Sequence, residues 1–416
     1  MNTEIKKVSV VGLGYVGLPT AAVLASRGVE VVGVEINDDV VRRINAGNVH
    51  ITEPDLDILV QGTVATGRLR ATTTPEAASV FVIAVPTPFK DGHEPDLKHV
   101  QAAANAIAPV LESGTLVILE STSPVGTTAQ LSAWLAKARP DLTFPAKGQE
   151  NPDINVAYCP ERVLPGRVLI ELVDNDRIIG GMTPECAAKA VDFYHIFLQG
   201  ECLVTDANTA ELAKLTENSY RDVNIAFANE LSLICDHLDI DVWELLRMAN
   251  RHPRVNILNP GPGVGGHCIA VDPWFIVSSA PEQSRLIRTA RLVNDDKPGH
   301  VIAKVTAHAD RFKSPVIACL GLSYKPDIDD LRESPALKIT AELAGMSVGE
   351  ILVVEPHIEK LPAVLAGKPN VTLVDAATAI ERADIVLLLV AHRAFRRTNR
   401  TVLNQKILID TPGLWA

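Results

Sequence analysis

The chain has 416 residues, 47% of them apolar and 21% charged, with a formal net charge of −11. That is the composition of an ordinary globular protein, and it excludes a disordered or collagen-like chain. The negative balance argues against nucleic acid or an anionic membrane as partner, and the length suits two to three domains.

Lys6-Lys7 followed by the uncharged run Val8–Ser26 imitates a secretory signal. Gly12, Gly14, Gly17 and Pro19 interrupt that run where a signal needs an unbroken apolar helix. No other stretch reaches the roughly 18 apolar residues of a membrane span. The expected location is the cytosol.

The first third alternates β-branched runs with helical patterns, the mark of a parallel sheet with crossover helices. Strands are predicted at Lys7–Gly12, Glu30–Glu35, Val80–Pro86, Leu116–Glu120, Asn155–Tyr158 and Arg177–Gly180. Pro140–Pro152, rich in Pro, Gly and Lys, reads as a surface loop. From Asp206 to Leu238 there is no Pro or Gly, and Leu212, Leu215, Val223, Phe227, Leu231 and Ile234 recur at helical spacing. One helix of roughly 50 Å is predicted, too long for one small domain and suited to a subunit contact. After Lys313 the alternation returns, with strands predicted at Val316–Leu322, Ile351–Glu355, Val371–Val374, Asp384–Val390 and Lys406–Asp410. The fold class is α/β, with two such units flanking a helical middle.

The first strand runs into Gly12-Leu13-Gly14-Tyr15-Val16-Gly17 and then a helical pattern. The first glycine permits a tight turn, the second lets backbone approach a pyrophosphate, and the third allows close helix–strand packing. The second strand ends in Glu35, 18 positions after Gly17. A carboxylate there binds ribose hydroxyls and repels a 2′-phosphate, which favours NAD over NADP. Turn glycines with a solvated Glu are the plainer alternative. Val85-Pro86-Thr87-Pro88, by itself equally a plain strand terminator, and Leu119-Glu120-Ser121-Thr122-Ser123-Pro124-Val125-Gly126 each end a strand at the sheet edge where ligands sit.

Six cysteines, at 159, 186, 202, 235, 268 and 319, show neither a CxxC nor zinc spacing, so they read as reduced thiols and no metal site is expected. One has an unusual setting. In Gly261-Pro-Gly-Val-Gly265-Gly266-His267-Cys268, four glycines precede the thiol, and Asp272 follows four residues on. A thiol entering a helix from such a loop has its thiolate favoured, and Asp272 would act as a base or orient one. Lys214 and Asn218 share a helix face and are suited to an oxyanion or a water, although a solvated face is the simpler account. Arg251-His252-Pro253-Arg254 gathers cations before the glycine-rich loop, and Tyr324-Lys325 through Arg332 offers a second phosphate site.

Together these segments resemble the nucleotide-sugar 6-dehydrogenases, the UDP-glucose and GDP-mannose dehydrogenase family. The resemblance runs through Gly12–Gly17, Val85–Pro88, Ser121–Gly126, Cys159–Pro165, Lys214–Asn218, Gly265–Asp272 and Lys325–Ser334, almost the whole chain. It implies a Rossmann-like NAD domain over residues 1–200 and a helical dimerisation and catalytic region over 201–300. A Rossmann-like UDP-sugar domain over 301–416 follows. By position Cys268 matches the catalytic thiol, Lys214, Asn218 and Asp272 its polar support, and Thr122 and Glu161 the water-handling and acid/base groups. Cofactor contacts fall on Gly12, Gly14, Tyr15, Val16, Gly17, Glu35, Pro86, Thr87, Ser121, Thr122 and Arg332. Substrate contacts fall on Glu161, Arg162, Val163, Lys214, Asn218, Arg221, His252, Arg254, Gly265, Tyr324 and Lys325.

The resemblance also has a branch. Cys159-Pro160-Glu161-Arg162 stands where UDP-glucose enzymes tend to carry Asn-Pro-Glu-Phe, and Asn250–Leu258 with Gly266-His267-Cys268 look like enzymes of N-acetylated hexosamines. Leu215–Glu230 favours the manno epimer, with the gluco epimer and plain UDP-glucose as alternatives. In that branch a homodimer is expected, with His252 and Arg254 reaching the partner's site. The implied reaction takes the sugar C6 alcohol to a carboxylate with two NAD, through a Cys268 thiohemiacetal and thioester. A two-electron hydroxyacid dehydrogenase or an NAD-sensing protein would leave Cys268 without a purpose.

Overall fold

A computed structural model describes residues 5–146, 151–164, 166–266 and 268–416. The chain divides into two compact units, Met1–Thr216 and Glu217–Ala416. Pro165, His267 and part of the Pro140–Pro152 stretch lie outside the described residues.

The first unit is built on eight strands: β1 (Lys7–Val11), β2 (Glu30–Val34), β3 (Leu69–Thr72), β4 (Val80–Ile83), β5 (Leu116–Leu119), β6 (Asn155–Tyr158), β7 (Arg177–Gly181) and β8 (Cys202–Asp206). They lie in the order β3-β2-β1-β4-β5-β6-β7-β8, parallel except between β6 and β7. The inner strands β4, β5 and β6 are buried along their whole length, as helices on both faces require. Val8 and Val10 feed one apolar layer, and Val11, Phe81 and Ile83 feed the other. The order reverses between β1 and β4, and ligands of such sheets sit beyond the strand ends at that reversal.

The sequence reading omits β3 and β8. Both are edge strands: β3 buries alternate residues only, and β8 is exposed at Leu203, Val204 and Asp206. An edge has half the apolar demand of an inner strand, so its pattern is weak. The predicted strand Val80–Pro86 stops at Ile83, because the chain leaves the sheet before Pro86.

The second unit carries β9 (Val316–Leu320), β10 (Glu350–Val354), β11 (Val371–Leu373), β12 (Ile385–Leu388) and β13 (Ile407–Asp410). They form an all-parallel sheet in the order β11-β10-β9-β12-β13, with an apolar layer on each face. Both sheets are Rossmann-like.

The long helix spans Ala207–Leu238. Asp206 caps it, its carboxylate accepting from Thr209 N (3.0 Å) and Thr209 Oγ1 (2.6 Å). It stops where Asp239 turns to φ 55° and the Ile240 amide bonds back to the Cys235 carbonyl at 2.9 Å. Among the described residues no helix is long and apolar enough to cross a membrane.

Candidate active site

At the β1–β4 reversal the three glycines divide their work by space. Gly12 has φ 92°, and a Cβ there would meet the Ala84 carbonyl oxygen at 2.7 Å. A Cβ on Gly17 would collide with the Gly12 carbonyl, whereas one on Gly14 meets nothing within 4 Å. The middle glycine therefore faces open space. Behind it the helix Gly17–Ser26 begins at Val16 with no side-chain cap and no acidic residue in its first turn. Its amides and dipole are left for an anion. Glu35 stands beside the loop, accepting from Leu13 N at 3.2 Å and Asn37 N at 3.1 Å. Open backbone, uncapped helix and ribose-side carboxylate fit a dinucleotide, and Tyr15 is exposed at the rim.

Two neighbouring helix starts are already filled. Glu211, fully buried on the long helix, accepts from Gly126 N (2.6 Å), Thr128 N (2.7 Å) and Thr128 Oγ1 (2.6 Å) at the start of Thr127–Ala138. Glu53 accepts from Gly166 N (2.8 Å) and Val168 N (2.7 Å) at the start of Val168–Asp174. At the β4 and β5 ends, Ser121 Oγ donates to the Val85 carbonyl at 2.7 Å, and Thr87 Oγ1 donates to the Thr122 carbonyl at 2.6 Å. The four expected cofactor residues Pro86, Thr87, Ser121 and Thr122 thus share one stitched edge. Ser121 is buried, Thr87 and Thr122 are half-buried, and Pro86 is exposed.

Glu161 follows β6. Its carboxylate accepts from Arg162 N at 2.6 Å and is paired with the Arg177 guanidinium. Arg177 also reaches Glu120 Oε1 at 3.3 Å, and Tyr194 Oη donates to that oxygen at 2.7 Å. Burial pushes the Glu120 carboxyl up to about 7. Neither Glu120 nor Arg177 was singled out from the sequence, since one reads as a strand end and the other as a strand start. Arg162 lays its guanidinium on the Asp176 carbonyl, and Val163 is half-buried.

In the second unit the thiol loop explains its glycines by packing. A Cβ on Gly265 would lie 2.5 Å from the Glu333 carbonyl and 2.9 Å from Tyr324 Cβ, and one on Gly266 would lie 2.9 Å from the Tyr324 ring. Tyr324, expected on the substrate, is thus the wall against which the loop runs. Cys268 is exposed, unlike the buried Cys159, Cys186, Cys235 and Cys319. Burial pushes the Cys159 and Cys319 thiols far up, Cys319 to about 12. The Cys268 carbonyl accepts from Val271 N (3.1 Å) and Asp272 N (2.9 Å), one turn before the helix Asp272–Ser279. Asp272 is buried, and Asn218 Nδ2 donates to its Oδ2 at 2.6 Å. Lys214 is also buried, one turn from Asn218 on the same helix.

Beyond the β9 and β12 ends, Pro262, Gly263, Ser323, Tyr324, Leu389 and Ala391 help to line a cavity of about 140 Å³. Lys325, Arg332, Arg221, His252 and Arg254 are exposed. Arg332 forks onto Asp330 at 2.6–3.1 Å. Asp327, His357 and His392 lie close enough to suggest a cation site. His392, however, spends Nδ1 on the Asp327 amide (2.9 Å) and Nε2 on Glu355 (3.2 Å), which leaves no lone pair for a metal.

Comparison with known proteins gives one answer over most of the chain. Residues 6–198 match the NAD binding domain of the UDP-glucose/GDP-mannose dehydrogenase family, 208–296 its central domain and 318–416 its UDP binding domain. The chain is 62% identical, over all of its length and 98% of the relative's, to an NDP-N-acetyl-D-galactosaminuronic acid dehydrogenase of Ralstonia nicotianae. It is 60% identical to a UDP-N-acetyl-D-mannosamine dehydrogenase of Yersinia pestis, over 99% of this chain and 100% of that one. Among solved structures it resembles the UDP-N-acetyl-mannosamine dehydrogenase from S. aureus, with TM-score 0.85 and 40% identity over 98% of this chain and 95% of that one. With the open glycine cradle at one sheet and the exposed thiol beside a buried carboxylate, the chain belongs to the UDP-glucose/GDP-mannose dehydrogenase family and is an NAD-dependent oxidoreductase of UDP-sugars.

Proposed function

We propose that this enzyme oxidises C6 of UDP-N-acetyl-D-mannosamine to the carboxylate, consuming two NAD per sugar, in the cytosol and as a precursor step for polysaccharide. The observation that carries the proposal is Cys268, an exposed thiol whose loop leads directly to Asp272, itself held by Asn218. Gly12, Gly14, Gly17 and Glu35 would hold NAD, which when bound would supply the hydride acceptor for both oxidations. The protein does the rest. The Cys268 thiolate adds to the C6 aldehyde carbon, and Lys214 and Asn218 stabilise the oxygen anion of that adduct. After the second oxidation the sugar is a thioester on Cys268. Water adds to its carbonyl, the C–S bond breaks, and the thiol is regenerated. Glu161 or Asp272 takes the proton of that water, with Thr122 orienting it.

The three-part division at about residues 200 and 300 belongs to the same reading, as does a homodimer. Tyr220, Phe227 and Ile234 are 69%, 52% and 47% exposed and recur every seven residues on the long helix, which suits a helix-to-helix seam. His252 and Arg254 would reach across it, while Arg162, Val163, Arg221, Gly265, Tyr324 and Lys325 would hold the UDP-sugar and Arg332 the cofactor. The 62% relative named for a galactosaminuronic acid supports a second reading, in which the substrate is the galacto epimer.

The test is a spectrophotometric screen of UDP-N-acetylhexosamine epimers and UDP-glucose with NAD. The expected result is two NADH per UDP-N-acetylmannosamine and a uronate product. One NADH per sugar would overturn the four-electron reading, and faster turnover of the galacto epimer would replace the manno assignment.

A further inference from the structure

The group behind Glu161 is built of buried charges. Arg177, at the start of β7, is 4% exposed and divides its guanidinium between Glu120, at the end of β5, and Glu161, after β6. Its carbon centre also lies 4.5 Å from the Tyr194 ring centroid, so the aromatic face holds the guanidinium plane in place. Tyr194 ends the helix Pro184–Tyr194, and its hydroxyl is committed to Glu120 Oε1. Glu120 Oε2 is buried and, among the described residues, accepts no hydrogen bond. The titratable groups facing Glu120 are Arg177, Glu161, Tyr194 and Cys159, with Cys202 near the same guanidinium.

One cation serves two carboxylates, and the unpartnered Oε2 gives Glu120 a reason to carry a proton. We infer that Arg177 is a positioning residue for Glu161, and that Glu120, by holding or releasing a proton to solvent, sets how much of the guanidinium charge Glu161 receives. The inference rests on Glu161 handling the proton of the attacking water. With Glu120 protonated, Arg177 is committed to Glu161, locking it in place and neutralising its charge. With Glu120 ionised, the guanidinium is shared, and Glu161 keeps more of its negative charge to draw a proton from water. Burial raises the Glu120 carboxyl from the usual carboxylate range toward neutral pH, where the experiment below looks for the change.

The experiment measures kcat and KM of the full-length enzyme on its UDP-sugar from about pH 6 to about pH 8, with Tm alongside. Wild-type kcat is expected to rise about fivefold over that range, a modest general-base effect. Glu120→Gln keeps the acceptor for Tyr194 but never ionises. It should match the wild type near pH 6 and lie about fivefold below it near pH 8, with KM within about twofold. Arg177→Lys, whose single ammonium cannot bridge both carboxylates, should lower kcat about tenfold across the range. A purely structural Arg177 would lower Tm and leave the profile unchanged. If Glu161→Gln is inactive while Glu120→Gln keeps the wild-type profile, the inference falls and the reading of Glu161 stands. If Glu161→Gln turns over normally, both fall. Should Arg177→Lys not fold, the Glu120→Gln profile decides by itself.

Discussion

Glu35 and Glu355 occupy the same place in their two sheets. Each follows the second strand of its unit and accepts from the turn after the first, Glu35 from Leu13 N at 3.2 Å and Glu355 from Leu322 N at 2.7 Å. Each also accepts from the amide two residues on, Asn37 and His357. Gly12 and Gly321 open the two turns with the same φ of 92°. The second carboxylate has lost its access. Glu355 is buried against His392 Nε2 at 3.2 Å; burial works to raise its carboxyl, but this contact and the turn amides together hold it below the usual range.

One NAD should therefore bind per chain, at Gly12–Gly17, because Glu35 is open to a ribose while Glu355 is buried. Calorimetric titration should saturate at one equivalent. Glu35 should also give NAD at least a tenfold advantage over NADP in kcat/KM, about 1.4 kcal/mol, and Glu35→Ser should narrow it. Equal use of both cofactors by the wild type would refute the role of Glu35.

Cys268→Ala should bind NAD and the UDP-sugar normally while acid formation falls on the order of a thousandfold or more. Iodoacetamide should inactivate the wild type, with UDP-sugar protecting, because Cys268 is exposed and most of its fellow thiols are buried. Near-normal acid formation by Cys268→Ala would remove the thioester from the mechanism.

Arg254→Ala and Cys268→Ala proteins, each inactive, should regain activity when their subunits are exchanged, if Arg254 completes the partner's site. Native mass spectrometry verifies the exchange. Heterodimers as inactive as their parents would place Arg254 in its own subunit's site or outside catalysis.

Lys297 is buried on the helix Arg285–Ala309 and donates to Ser232 Oγ. Burial lowers it to about 8 from 10.5, so the fold prefers the neutral amine. The unfolded chain then binds more protons between these values, and stability rises as pH climbs from about 8 to about 10.5. Below about 8 the buried ammonium costs its full amount. Lys297→Met should raise Tm by about 2–4 °C near pH 7 and lose that advantage near pH 10. Ser232 keeps its own bond to the Asn229 carbonyl at 2.6 Å in either case. An advantage that persists undiminished to pH 10 would rule out the titration as its cause.

The inner strands, the long helix, the glycine turn and the Cys268 loop were all legible in the amino-acid order. Each is announced by a local pattern. Inner strands are continuous apolar runs, the helix has neither Pro nor Gly for its whole length, and the turn places three glycines next to a strand. Such signals come from steric limits and from periodic burial, which act between neighbours in sequence.

Only the tertiary structure decided which charges are buried and what they serve. Glu120 and Arg177 are 57 residues apart, and Glu211 closes a helix start 83 residues away. In sequence each is one more acid or base on a strand end or a helix. A buried ion is tolerated only when the topology brings its partner to it. Composition and spacing carry no record of that pairing. The edges β3 and β8 escaped for the related reason that an edge strand owes its place to one neighbour, not to its own apolar pattern.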